Sequence, residues 1–109
     1  MPTVYKVLGQ SFPSANTLTT AYTVPAASSA VVSTIVVANL GGTPTTFRIA
    51  VRPAGAAIAN EHYVAYDVSI APEDSITLTL GITVTATDVV SVESFNGQTS
   101  FNIFGSEIG

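Results

Sequence analysis

The stretch SITLTLGI, residues 75–82, decides the fold class. Its apolar residues alternate with Ser, Thr and Gly, so the apolar side chains share one face: Ile76, Leu78, Leu80 and Ile82. Successive side chains of a strand point to opposite sides, and strict alternation is therefore typical of a strand with one buried face. The stretch predicts antiparallel β-structure that packs one face against a core.

Two further segments alternate in the same way, TTFRIAVR at 45–52 and VAYDVSI at 64–70. Val, Ile and Thr dominate such segments because β-branched side chains suit a pleated surface. The residues predicted to face the core are Phe47, Ile49 and Val51 in the first segment, and Val64, Tyr66, Val68 and Ile70 in the second.

The segment AVVSTIVVA, residues 30–38, is apolar on both alternating sets: Val31, Ile35 and Val37 on one, and Val32 and Val36 on the other. Such a pattern is typical of a strand that is covered on both faces. Two packed sheets bury only one face of each strand. We therefore expect a loop, a terminal segment or another subunit to cover the second face.

The remaining strands are predicted at 3–8, 17–24, 88–95 and 98–104. Asn96-Gly97 separates the last two and predicts a hairpin between them, because a type I′ turn needs positive φ at both central positions. About eight short strands without helical periodicity predict a single antiparallel β-sandwich domain over residues 1–109, jelly-roll-like or immunoglobulin-like in topology.

Three segments lie outside the clearest strand pattern. Residues 54–62, AGAAIANEH, fit either a helical turn or an extended loop. Residues 1–8, which include the predicted strand 3–8, and residues 104–109 are apolar, and we expect both ends to be arms that become ordered against a partner.

Charged residues make up only 9% of the chain, against about 25% in an ordinary soluble domain. A surface with so few charges favours a subunit that neighbours partly cover. Three basic residues and a net charge of -4 cannot form the basic stripe that nucleic-acid binding requires. Neither a secretory leader nor a run of about 20 apolar residues is present, so we expect neither export nor a membrane partner.

Residues that carry chemistry are scarce. With one His and no Cys, the chain cannot assemble the usual nucleophilic triads or zinc sites, and we expect no enzyme activity, no cofactor and no metal. His62 is interpreted as a loop residue, and Glu73 and Asp74 as turn residues that bond local backbone groups. Arg48 and Arg52 are predicted on one outward face, either paired with Asp67 or Glu93 across strands or bound to a neighbouring subunit.

These patterns suggest an interface built from the apolar ends, the strand that is apolar on both sides and the two arginines. The predicted interface residues are Val4, Tyr5, Val7, Val31, Ile35, Val37, Arg48, Arg52, Phe104 and Ile108.

Several segments resemble small structural proteins of tailed bacteriophages, especially phages of marine and freshwater bacteria. They are YKVLGQ at 5–10, YTVPA at 22–26, VVSTIVVANLG at 31–41, TTFRIAVRPAGAA at 45–57, HYVAYDV at 62–68, LTLGIT at 78–83 and FGSEI at 104–108. The resemblance covers most of the chain and contains no catalytic motif, so it names no active residues. It implies a virion component, made in the host cytoplasm.

Two placements in the virion follow from this resemblance. A capsid decoration or cement protein would bind the shell of the major capsid protein, and we favour it because the chain is short and has no fibrous repeat. The alternative is a tail, baseplate or fibre-associated module that contacts other tail proteins or a host receptor. The resemblance implies a homotrimer, although composition alone does not distinguish a trimer from a dimer.

Overall fold

The computed structural model describes residues 3–109, which form eight strands and two short 3₁₀ turns, Pro53–Gly55 and Asn60–His62. The strands are β1 (Thr3–Ser11), β2 (Thr19–Thr23), β3 (Ser29–Asn39), β4 (Thr45–Arg52), β5 (Tyr63–Ile70), β6 (Ser75–Thr85), β7 (Val89–Ser94) and β8 (Thr99–Ile108). The prediction of an all-β chain with about eight strands is confirmed. Residues 54–62 contain the end of the Pro53–Gly55 turn and the whole of the Asn60–His62 turn, joined by irregular chain. Residues 1–2 of the predicted N-terminal arm lie outside the described range.

The strands form two four-stranded sheets, sheet A in the order β1-β8-β3-β6 and sheet B in the order β2-β7-β4-β5. The antiparallel pairs β1–β8, β2–β7, β3–β6 and β4–β5 nest one inside the next around the β4–β5 connection. Eight strands in this order form a jelly roll, whereas the immunoglobulin sandwich divides its strands differently. The structure therefore has the first of the two predicted topologies.

The core lies between the two sheets. Phe47 of β4 and Phe101 of β8 meet edge to face across it, with ring centroids 5.9 Å apart and planes at 74°. Phe47 and Ile49 are buried as predicted. The four apolar side chains of the 75–82 stretch also pack on the core, but they are only partly buried because β6 is the edge of its sheet.

Bulges overturn part of the predicted pattern of buried faces. In β3 the register slips between Val32 and Thr34, so Val32 turns inward with Ile35 and Val37 while Val31 turns outward. A slip of one residue moves the following side chains to the opposite face, and simple alternation fails there.

Bulges also explain why the buried face of β5 was predicted wrongly. The register slips twice, between Phe47 and Ile49 and again between Ile49 and Ala50 on the facing strand. Val64 and Tyr66 were predicted inward, but they are 45% and 56% exposed.

The prediction of a hairpin at Asn96-Gly97 is also wrong. β7 pairs with β2 and β4 in sheet B, whereas β8 pairs with β1 and β3 in sheet A, so this turn joins the two sheets. Gly97 has a φ of 68°, and a Cβ there would come within 2.8 Å of the Ala15 nitrogen. Glycine is therefore required by close packing as well as by the turn.

The predicted terminal arms are strands. Residues 3–8 belong to β1 and residues 104–108 to β8, and the two segments pair with each other from Thr3–Ile108 inward along sheet A. Leu8 reaches the core. Deleting residues 1–8 would therefore remove most of an edge strand.

The buried side chain of Asn39 fastens three loops at one end of the sandwich. Its Nδ2 donates to the carbonyl oxygens of Thr43 at 2.8 Å and Ala71 at 3.2 Å. Its Oδ1 accepts from the Gly41 nitrogen at 2.9 Å and from Asn96 Nδ2 at 3.0 Å. Because Asn39 is only 2% exposed, water cannot replace it at these groups without rearrangement.

We expect Asn39→Ala to lower the free energy of unfolding by about 2–4 kcal/mol, because it leaves several buried polar groups without partners. Chemical denaturation measures the change. Asn60→Ala, in an exposed turn, is the matched control and should cost less than about 0.5 kcal/mol. Equal losses in the two variants would contradict this role for Asn39.

Candidate assembly surface

The outward face of sheet A, here called face A, is defined by the strand register. Phe101 and Ile103 of β8 are fully buried. The residues that alternate with them, Asn102 and Phe104, therefore point away from the core. Residues directly opposite on neighbouring strands share a face, which assigns the other members. Face A includes Tyr5, Val7, Gln10, Val31, Thr34, Val36, Ser75, Thr77, Thr79, Thr83, Asn102, Phe104 and Ser106.

Face A carries no charged side chain. Its apolar side chains lie on β1, β8 and β3, and the most exposed are on β1, where Tyr5 is 84% exposed and Val7 47% exposed. Tyr5, Val31 and Phe104 line a shallow groove, with Lys6 at its border, and Thr side chains continue the surface towards β6. An exposed apolar patch with a polar, uncharged border is typical of a protein interaction surface.

The structure brings together only part of the predicted interface. Tyr5, Val7, Val31 and Phe104 lie on face A, and Ile108 lies opposite Thr3 at the end of the same sheet. Val4 is 50% exposed but pairs with Glu107, on the other side of β1.

The assignment of two residues to the interface is wrong, because both are buried in the core. Ile35 and Val37 are 0% exposed in the core, so their side chains cannot reach a partner. The sequence pattern grouped them with Val31, and the slip in register at Ser33 separates them from it.

The two predicted arginines lie on the opposite surface, the outward face of sheet B, here called face B. Arg48 Nε donates to Asp67 Oδ1 at 2.6 Å, and its guanidinium carbon lies 4.1 Å from the centre of the Tyr66 ring. The β5 bulge makes this possible, because Tyr66 and Asp67 together face Arg48. The predicted Arg48–Asp67 pair is confirmed. Its hydrogen bond holds the pKa of Asp67 below the usual value.

Arg52 is also bound within the chain. Its Nε donates to Ser91 Oγ at 3.1 Å, and its Nη1 donates to the Ala56 carbonyl at 3.0 Å. Face B therefore carries four charged side chains, Arg48, Arg52, Asp67 and Glu93. Both arginines have hydrogen-bond partners within the chain. The two outer faces of the sandwich differ sharply in charge.

A polar contact beside face A ties the two sheets together. Glu107 of β8 accepts a hydrogen bond from the Tyr22 hydroxyl of sheet B at 2.7 Å and lies 3.3 Å from Lys6 Nζ of β1. The Tyr22 bond, followed by that of Lys6, lowers the pKa of Glu107. Burial and the contact with Glu107 raise the pKa of Tyr22, which stays protonated as the donor.

The residues considered for chemistry make local contacts. His62 Nδ1 accepts from the Ala59 nitrogen at 3.1 Å within its own turn, and Asp74 Oδ1 accepts from the Ser75 nitrogen at 2.8 Å. Glu73 lies in the same turn with a φ of 54°. Across residues 3–109, no group of three or more His, Cys, Asp or Glu side chains is arranged to hold a metal ion. In the same range, no helix has the length and hydropathy to span a bilayer.

Sequence reasoning missed several members of the surface. Gln10 Nε2 donates to Asn102 Oδ1 at 2.7 Å and extends face A with an uncharged pair. Thr77 and Thr79 were visible as the outward set of the 75–82 stretch but were not assigned to the interface, and Thr83 lies beyond that stretch, after the slip in register. The partnership of Tyr22 with Glu107 joins residues 85 positions apart, and no local pattern signals it.

Comparison with protein-family models and with curated protein sequences finds no match to this chain.

We expect Glu107→Gln to make stability less dependent on pH. The folded-state pKa of Glu107 is depressed, so its contribution is present above the unfolded-state pKa and is lost as pH falls through the folded-state value. Denaturation midpoints measured from about pH 7 to about pH 3 should fall less steeply in the variant than in the natural chain. Glu61→Gln, in an exposed turn, should keep the natural slope; an unchanged slope in Glu107→Gln would contradict the assignment.

Proposed function

We propose that this chain is a structural protein of a tailed-bacteriophage virion, a capsid decoration protein that binds the shell of the major capsid protein through face A. The observation that carries the proposal is the contrast between face A, uncharged and apolar at its exposed Tyr5, and face B, which carries charges.

The contrast favours face A as the buried side for an energetic reason. Burial of apolar surface contributes roughly 25 cal/mol per Å², while burial of a charge costs free energy unless a partner compensates it. Covering face A removes Tyr5, Val7 and Phe104 from water. The charged side chain that lines its groove, Lys6, is already paired with Glu107. Covering face B would desolvate the Arg48–Asp67 pair, which is exposed to solvent.

The assignment to a virion rests on the resemblance to phage structural proteins, whose segments lie on both sheets. Two of the resembling segments, residues 5–10 and 104–108, lie on the paired strands β1 and β8. These strands supply Tyr5 and Phe104. A decoration protein binds many equivalent sites on a shell, so weak contacts of this kind can add through multivalency.

We expect Tyr5→Ser to weaken binding to empty shells of the major capsid protein at least about tenfold, since exposed aromatic side chains often dominate interface energies. Cosedimentation of the purified chain with shells measures the affinity. Folding should be unaffected, because Tyr5 is 84% exposed and does not support the core.

The matched control is Tyr66→Ser on face B, where Tyr66 is 56% exposed. This variant should bind shells like the natural chain. Loss of binding in Tyr66→Ser with normal binding in Tyr5→Ser would move the contact to face B, and failure of the natural chain to bind shells would refute the decoration role.

A further inference from the structure

Four strands lie at the edges of the two sheets: β1 and β6 in sheet A, and β2 and β5 in sheet B. Proteins usually protect such edges with charges, bulges or short strands, because an open edge can pair with another chain. β1 carries Lys6 and a slip in register, β2 has five residues, and β5 has two slips and Asp67. β6 is the exception, with eleven residues and no charge.

The first half of β6 is also regular. Residues 75–79 pair with β3 without interruption, from Ser75–Ala38 to Thr79–Thr34, and the slip follows at Leu80 and Gly81, where Gly81 has a φ of 62°. The inward side chains Ile76 and Leu78 are only partly buried. This half therefore offers a straight, uncharged edge with apolar surface still to be covered.

We propose that residues 75–79 pair antiparallel with the same residues of a second copy of this chain across a two-fold axis. Thr77 of one copy lies opposite Thr77 of the other. Ser75 then lies opposite Thr79 on the outward side, and Ile76 lies opposite Leu78 on the inward side. Asp74 lies opposite Leu80, so no charge faces a like charge.

The edge fits a copy of itself better than it fits the other edges of the chain. Pairing across a two-fold axis uses one surface twice, and here each half supplies uncharged residues to the other. Opposed Thr pairs in antiparallel sheets are favourable. Pairing with β1 or β5 would bring Lys6 or Asp67 against a strand that has no opposite charge to offer.

The two-fold axis runs perpendicular to sheet A, so the two four-stranded sheets form one continuous sheet. Both copies of face A then point in the same direction, and the dimer presents a doubled, uncharged surface for bivalent attachment. The dimer rests on the β6 edge alone and does not depend on the proposed function. It differs from the trimer that the phage resemblance implies.

Sedimentation velocity at about 1–100 µM tests the dimer, because a short interface of this kind should dissociate in the micromolar range. The natural chain should sediment as a dimer at the upper end of this concentration range. Thr77→Lys should raise the dissociation constant at least about tenfold, since it opposes two like charges across the axis.

The control variant is Thr20→Lys, on an exposed position of β2 in the other sheet, which should dimerise like the natural chain. Both substitutions are on exposed edge-strand threonines and add the same charge. A natural chain that sediments as a monomer or a trimer at the upper concentration, or a Thr77→Lys variant that dimerises normally, would overturn the proposal.

A second experiment uses the absence of cysteine from the chain. Opposed residues of an antiparallel pair have Cα atoms about 4.5–5.5 Å apart, within the span of a disulfide. Under mild oxidation, Thr77→Cys should form a covalent dimer and Thr20→Cys should not. A Thr77→Cys chain that remains uncrosslinked, or crosslinks no faster than Thr20→Cys, would contradict the two-fold pairing.

Discussion

Each sheet of the sandwich must bury one whole face against the other, and the rest of the structure depends on this packing. Phe47 and Phe101 lie at its centre, with ring centroids 5.9 Å apart. The nested antiparallel pairs satisfy that constraint with the inward side chains alone. The outward side chains contribute little to the core. Their identity is therefore free to suit contacts with other molecules. In this chain the two outward faces differ, and the proposed role of face A rests on that difference.

The few charges of the chain are unevenly placed rather than merely scarce. Arg48, Arg52, Asp67 and Glu93 lie on face B, while face A has none. A low charge content can reflect an apolar monomer or a buried subunit. The cluster of charges on face B, with Tyr5 exposed on face A, favours the second explanation, because the charged side chain at the face A groove, Lys6, already has Glu107 as its partner.

The sequence predicts the fold class and most strands because regular alternation is a local signal, as in the 75–82 stretch and in β4. It fails at Ser33 and at Tyr66 and Asp67, where bulges reverse the faces and depend on the neighbouring strand. It also fails at Asn96-Gly97, since the choice between a hairpin and a crossing between sheets is set by distant strands. For the same reason only part of the interface could be predicted: Tyr5, Val7, Val31 and Phe104 meet through pairing between the two ends of the chain.

A reconstruction of the intact virion that resolves individual strands would test the proposed role of face A, because it reports both the location and the orientation of the sandwich. We expect the sandwich on the head, with face A against the shell and the Arg48–Asp67 side towards solvent. A sandwich bound to the tail, or one on the head with face A exposed to solvent, would contradict it.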